Sequence, residues 1–249
     1  MPKALAPAAL TLILALGIAP LASNAHADES AGWRSLFNGE DFTGWDYPED
    51  GPWDIVDGTI DCDPARAPGV RGDVWSQEEF GDIALYVEWR FTDTPTEEEL
   101  PVILPDGTQK IDDDGNPVTV TQYNGDSGIY LRGQPNAQVN IWNWPIGSGE
   151  VYGYRVNESM PDHVRAGVTP SERADNPVGE WNTFLITMIG DRLSVILNGR
   201  LVIDHAQLPG VAESGPIALQ FHGGYSEERG YFPASSLVQF RNIYVKELD

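Results

Sequence analysis

Gly81-Asp82-Ile83-Ala84-Leu85-Tyr86-Val87-Glu88-Trp89-Arg90-Phe91 is the stretch that decides the fold. Ile83, Leu85, Val87, Trp89 and Phe91 fall on one side of an extended chain, and Tyr86, Glu88 and Arg90 on the other. That is the period-two pattern of a strand with one buried face. The pattern recurs in both directions. Ile129 and Leu131 oppose Tyr130 and Arg132, and Val139 and Ile141 oppose Gln138, Asn140 and Trp142. Phe184, Ile186 and Met188 form a further apolar face, Ile217, Leu219 and Phe221 alternate with Gln220 and His222, and Val238 to Val245 closes the chain. Between Leu193 and Ile203, Asn198-Gly199 predicts a hairpin, because that pair favours the type I′ turn that matches strand twist. No long stretch has a helical period, so no helix should exceed about three turns. Many strands separated by turn signals predict an all-β, two-sheet antiparallel sandwich. The segment Thr92 to Asn124 breaks the pattern, holding Glu97-Glu98-Glu99, four prolines and Asp112-Asp113-Asp114-Gly115-Asn116. It reads as a long surface loop. Its Asp-rich tip resembles half a calcium loop without the later bidentate Glu, which favours a solvated turn.

The 249 residues are 41% hydrophobic and 21% charged, enough to bury a sizeable core. Thirty-eight acidic against 15 basic residues give a net charge of −23. Such a surface repels the phosphates of nucleic acid and of anionic membranes. A neutral or cationic partner is left, and sugars fit. Met1-Pro2-Lys3, the apolar run Ala4 to Ala22 and Ala25-His26-Ala27 read as a signal peptide over residues 1–27. No second apolar stretch approaches the ~20 residues of a spanning helix, so no membrane insertion is expected. The expectation is a secreted or periplasmic protein with one domain over 28–249. Its lone cysteine, Cys62, can form no internal disulfide and reads as a small buried hydrophobe.

Chemistry is expected where adjoining strands present polar side chains on one face. Tyr86, Glu88, Arg90, Tyr130, Arg132, Gln138, Asn140, Trp142, Gln220 and His222 bring together carboxylate, guanidinium, imidazole, amide and aromatic groups. Amides and arginine make directional hydrogen bonds to hydroxyls, and tryptophan stacks on the apolar face of a sugar ring. Structural ion pairing of Glu88, Arg90 and Arg132 is the competing reading. The stretch Asn140 to Arg155 mixes glycines with Trp142, Trp144, Tyr152, Glu150 and Arg155 and has no apolar period, which suits a functional loop.

These segments resemble the 3-keto-disaccharide hydrolase domain family. The matching motifs are Leu36-Phe37-Asn38-Gly39 with Gly44-Trp45, Trp53-Asp54-Ile55-Val56-Asp57-Gly58, Glu88-Trp89-Arg90 and Asp126-Ser127-Gly128-Ile129-Tyr130-Leu131-Arg132-Gly133. Gly179-Glu180-Trp181-Asn182, Leu197-Asn198-Gly199, Gly215-Pro216-Ile217-Ala218-Leu219-Gln220 and Phe240-Arg241-Asn242-Ile243 follow in order. The resemblance implies a concanavalin A-like jelly roll that cleaves glycosides oxidised at C3, by 1,2-elimination and hydration. One position departs from it: where many members look like Tyr-Glu-Val-Gln, this chain has Ala137-Gln138-Val139-Asn140, an amide in place of a carboxylate.

A standard glycosidase needs two carboxyl groups flanking the bond, whereas an elimination next to a ketone needs one base and donors for the enolate oxygen. Glu88 and His222 are the expected catalytic pair, projecting from one sheet face into one cleft. Arg132, Gln138, Asn140, Trp142, Glu150, Arg155 and Gln220 are the expected substrate-binding residues, with Arg132 and Asn140 toward the enolate. No cofactor is required and no metal site is assigned. A divalent cation stays open, with His222 and Glu88 its natural ligands. The alternative is a lectin-like, non-catalytic sugar-binding module.

Overall fold

The computed structural model describes residues 32–248, so the leader-like segment 1–27 lies outside the described residues. The strands are β1 (Arg34–Ser35), β2 (Trp45–Asp46), β3 (Trp53–Val56), β4 (Thr59–Cys62), β5 (Val74–Phe80), β6 (Ile83–Phe91), β7 (Thr96–Pro101), β8 (Thr119–Asn124) and β9 (Asp126–Leu131). They continue as β10 (Gln134–Trp142), β11 (Asn182–Ile189), β12 (Arg192–Leu197), β13 (Arg200–Gln207), β14 (Gly215–Leu219), β15 (Tyr225–Ser226), β16 (Gly230–Tyr231) and β17 (Val238–Glu247). Two short helices, α1 (Tyr152–Arg155) and α2 (Asp162–Gly167), stay under the expected limit. None of the described helices is long and apolar enough to cross a membrane.

Two antiparallel sheets pack face to face. The larger has the order β13-β12-β11-β6-β17-β4-β3, with β1 on β17, and the smaller has β10-β9-β14-β5-β2. The alternation in β6 sends Val87 and Trp89 inward, where they share one core with Ile129, Leu131, Val139, Ile141, Ile217 and Leu219 of the smaller sheet. Cys62 is buried at the end of β4. Asn198 and Gly199 both have positive φ, 51° and 79°, as a type I′ turn requires.

The segment 92–124 is not a loop. β7 and β8 pair from Thr96↔Asn124 to Pro101↔Thr119, and isolated bridges at Ile103↔Gln109 and Ile111↔Pro117 prolong the arm. The arm escapes sequence reading because both of its faces are largely polar. Even so, Glu97 and Glu99 turn outward while Glu98 and Leu100 turn in. At its tip Gly107 has φ +83°, and a Cβ there would come within 2.9 Å of the Arg165 carbonyl oxygen, so only glycine lets the arm lie against α2.

Arg132 does not continue the polar face of β9. Its φ of 52° turns the chain out of the strand, and its side chain is buried as a clasp. It donates to the carbonyl oxygens of Gly190 (2.7 Å), Ala212 (2.8 Å) and Gly81 (3.2 Å) and to Asp82 (2.8 Å). Those carbonyls belong to turns of both sheets, so Arg132 ties their ends together. We expect Arg132→Ala to orphan this set and cost about 3–5 kcal/mol, read as a fall in the urea midpoint.

Candidate active site

The smaller sheet's outer face is built by register. In β9 and β10, Trp142 lies opposite Asp126, Asn140 opposite Gly128, and Gln138 opposite Tyr130. On the other side Ala218 of β14 lies opposite Tyr130, and the Gln220 N–H donates to the Gly128 carbonyl at 2.9 Å. His222 comes beside Asp126 through Ser236, whose hydroxyl accepts from the His222 N–H at 2.8 Å and donates to the Asp126 carbonyl at 2.6 Å. Three rows result: Trp142, Asp126 and His222; Asn140, Gly128 and Gln220; then Gln138, Tyr130 and Ala218. Directly paired neighbours, such as Trp142 and Asp126, have Cβ atoms roughly 4.5–5.5 Å apart. Gly128 is the gap in the grid. A Cβ there would collide with the Gln138 side chain, which crosses Gly128 to donate to Gln220 Oε1.

An open pocket of about 390 Å³ stands on this face. Asp126, Gln138, Asn140, Gln220 and His222 form its floor, and Glu98 and Leu100 enter from the β7–β8 arm. Asn124 donates through Nδ2 to Glu98 and so fixes the arm's carboxylate. Aromatic groups make one wall. Trp142 and Trp144 stack with ring centres 4.2 Å apart and planes 8° apart, and Tyr152 stands edge-on to both at 5.9 and 6.1 Å. A larger cleft of about 490 Å³ lies between Gln134–Asn136 and Pro209–Gly210, but its only ionisable group is Tyr154. A third cleft, of about 520 Å³, has Arg34 and Glu78 at its edge, paired with each other. The smaller pocket is the one that gathers a carboxyl, an imidazole and amides, and it is the candidate site.

Two groups on the floor can move protons. His222 Nδ1 lies 2.9 Å from the Ala234 carbonyl oxygen. A carbonyl only accepts, so Nδ1 carries the hydrogen, and Nε2 is left with its lone pair when the ring is neutral. Asp126 Oδ1 is buried without a hydrogen-bond partner. Burial holds the Asp126 carboxyl well above the usual carboxylate range; the nearby His222 pulls it back down and the negative charge of Glu98 pushes it further up. An unpartnered buried carboxyl in a pocket is a liability to the fold that catalysis can use.

Gln138, Asn140, Gln220 and His222 are thus gathered as the alternation predicts. Glu88 is not with them. It lies on the outer face of the larger sheet, bound by Arg241 at 2.7 Å and Tyr86 at 3.0 Å. Two sheets stacked about 10 Å apart separate it from His222, so the expected Glu88–His222 pairing in one cleft, and a cation shared by them, are corrected. The alternation was read rightly, but each sheet has its own outer face. Glu150 and Arg155 form a buried ion pair under the pocket wall rather than a part of its surface. Burial pushes the Glu150 carboxyl up to about 7, with Arg155 opposing. Trp142 reaches the pocket with an edge only. It is 3% exposed, and its indole N–H donates to the Gly147 carbonyl at 2.7 Å. The accessible rings are Trp144 and Tyr152, the latter 41% exposed. Among the described residues no three His, Cys, Asp or Glu side chains stand together as a metal site would require.

The residues missed by sequence reading are Asp126, Glu98 and Asn124, whereas Trp144 and Tyr152 belong to the Asn140 to Arg155 stretch that reads as a functional loop. Asp126 was findable, because stepping back by two from Tyr130 along the polar face passes Gly128 and reaches it. Glu98 was hidden by the arm.

The sequence from residue 32 to 246 matches the model of the 3-keto-α-glucoside-1,2-lyase-like domain. The chain belongs to this family. Membership makes it a carbohydrate-acting type of domain. Two crystal structures from Parabacteroides distasonis ATCC 8503, each described as a "putative glycosyl hydrolase", share the family's sandwich. One is 18% identical, with a TM-score of 0.54 over 91% of this chain and 99% of that one. The other is 16% identical, with a TM-score of 0.51 over 87% and 99%. At these identities the likeness is one of fold. No curated protein matches the sequence.

The raised Asp126 carboxyl fixes a sign. The folded state holds this proton more tightly than the unfolded chain, whose Asp titrates near ~3.9. The group therefore costs nothing below that pH, and its cost grows as pH rises through the folded value. We expect Asp126→Asn to gain on wild type in denaturation midpoint between pH 4 and pH 8.

Proposed function

We propose that the protein is an exported enzyme that cleaves 3-keto-glycosides by 1,2-elimination and then hydration, with His222 as base and Asp126 as acid. One observation carries this reading: an imidazole whose Nδ1 is engaged by a carbonyl and a buried carboxyl whose Oδ1 has no hydrogen-bond partner meet on the floor of one pocket. The ketone at C3 acidifies the C2 hydrogen. His222 Nε2 takes that proton, and the C2–H electrons form an enolate. The amide N–H groups of Asn140 and Gln220 are the donors available to its oxygen. The C1–O bond breaks as the leaving oxygen takes the Asp126 proton. Hydration runs the steps in reverse: water gives a proton to Asp126 and its oxygen to C1, and His222 returns its proton to C2. The sum is hydrolysis, with both groups reset.

The lectin-like reading keeps one observation in its favour, the amide Gln138 at the centre of the floor. Incubation with 3-keto-trehalose or a 3-keto-glucoside, followed by NMR, separates the two. We expect turnover, cut about 10²–10⁴-fold by His222→Ala or Asp126→Asn and unchanged by Glu88→Gln. Wild-type activity should fall as pH rises through the raised Asp126 value, because the acid form is consumed. Binding without turnover would leave the sugar-binding module.

A further inference from the structure

The row Trp142–Asp126–His222 has a direction. Asp126 stands in the middle, with the imidazole on the β14 side and the aromatic wall on the β10 side. A group that protonates the leaving oxygen must sit beneath the glycosidic bond. The ring losing its C2 hydrogen then lies over His222 and Gln220, and the leaving group extends the other way. There it meets Trp144 and Tyr152. We propose that these two side chains form a stacking subsite for the leaving group, so the preferred substrates carry a ring at that position, a second pyranose or an aryl group. This rests on the acid and base roles given to Asp126 and His222.

The wall is built to hold its shape. Trp144 lies flat on buried Trp142, which is backed by Ile103 from the arm and by Ile146. Tyr152 is held edge-on to both indoles, and the Arg155 guanidinium lies 5.2 Å from its ring centre. Arg155 is in turn pinned by Glu150, whose carboxylate is fully buried. A buried ion pair with no access to the pocket thus acquires a purpose: it fixes the rim aromatic at the start of α1. Preorganised faces of this kind bind rings without losing side-chain freedom.

The test compares 3-keto-glucosides that differ only in the aglycone. Methyl carries no ring, whereas p-nitrophenyl and a second glucose do. We expect Trp144→Ala and Tyr152→Ala to lower kcat/KM about 10- to 100-fold for the ring aglycones and less than about 3-fold for methyl. Trp181→Ala removes a ring that packs on Arg90 and Arg241 over the outer face of the larger sheet, and it should change none of them. Equal losses on all three substrates, or none on any, would overturn the proposal. A second arm reads binding of unoxidised trehalose and phenyl glucoside by tryptophan fluorescence or ligand-observed NMR. If wild type turns over no 3-keto substrate but binds these ligands through Trp144, the acid–base reading falls and the stacking site stands. If wild type binds neither ligand and shows no aglycone preference, the stacking site falls.

Discussion

The register between β9 and its two neighbours is the constraint on which the rest of this molecule depends. Ser127, Ile129 and Leu131 face inward, so Asp126, Gly128 and Tyr130 must face out, and pairing to β10 and β14 converts that line into a grid. A slip of one residue would exchange the two sets, burying Asp126 in the core and exposing Ile129. The hydrophobic cost of that exchange is what holds the polar row in place. His222 lies three residues past the end of β14 and is held by hydrogen bonds to Ser236 and Ala234, which suits a site that must place two proton-transfer groups together.

Holding that row works against stability. Asp126 is short of a partner and Glu98 adds like charge across the pocket. Glu150 is another buried carboxyl, with Oε2 unpartnered although Arg155 binds Oε1. These strains are carried by a core whose own buried orphan is the Trp89 indole N–H. The inner faces of both sheets are aliphatic and aromatic, and Arg132 bolts their ends with four hydrogen bonds. Its guanidinium is conspicuous in sequence and resembles a ligand-binding group, but its positive φ turns it into a structural one.

Most of the fold was legible because period-two alternation reports burial directly. It gave β6, β9 to β14 and β17, the Asn198-Gly199 turn and four floor residues: Gln138, Asn140, Gln220 and His222. Alternation cannot say which sheet a strand joins, and this is why Glu88 was assigned to the wrong side. β6 and β14 have the same pattern, yet β6 pairs with β11 and β17, and β14 with β9 and β5. The aromatic wall was half legible. Trp-Asn-Trp at 142–144 announced a ring-rich segment, but only packing shows that Trp142 is the support and Trp144 the surface. The arm was illegible, since a two-stranded ribbon solvated on most of both faces has no apolar period.

The amide at position 138 follows from the same geometry. Gln138 Nε2 donates to Gln220 Oε1 and lies 3.4 Å from the Ser127 carbonyl oxygen, so its end group faces two acceptors. A carboxylate there could donate to neither. It would also place a third negative charge in a pocket that already holds Asp126 and Glu98, raising the Asp126 carboxyl further and weakening its ability to shed a proton. Where the family resemblance has a glutamate, this chain keeps the side chain's length and its path across Gly128 but exchanges charge for a donor. The carboxylates of this pocket come instead from β9 and from the arm. Gln138 is then a consequence of where the acidic groups stand, and its N–H groups hold Gln220 in place on the floor.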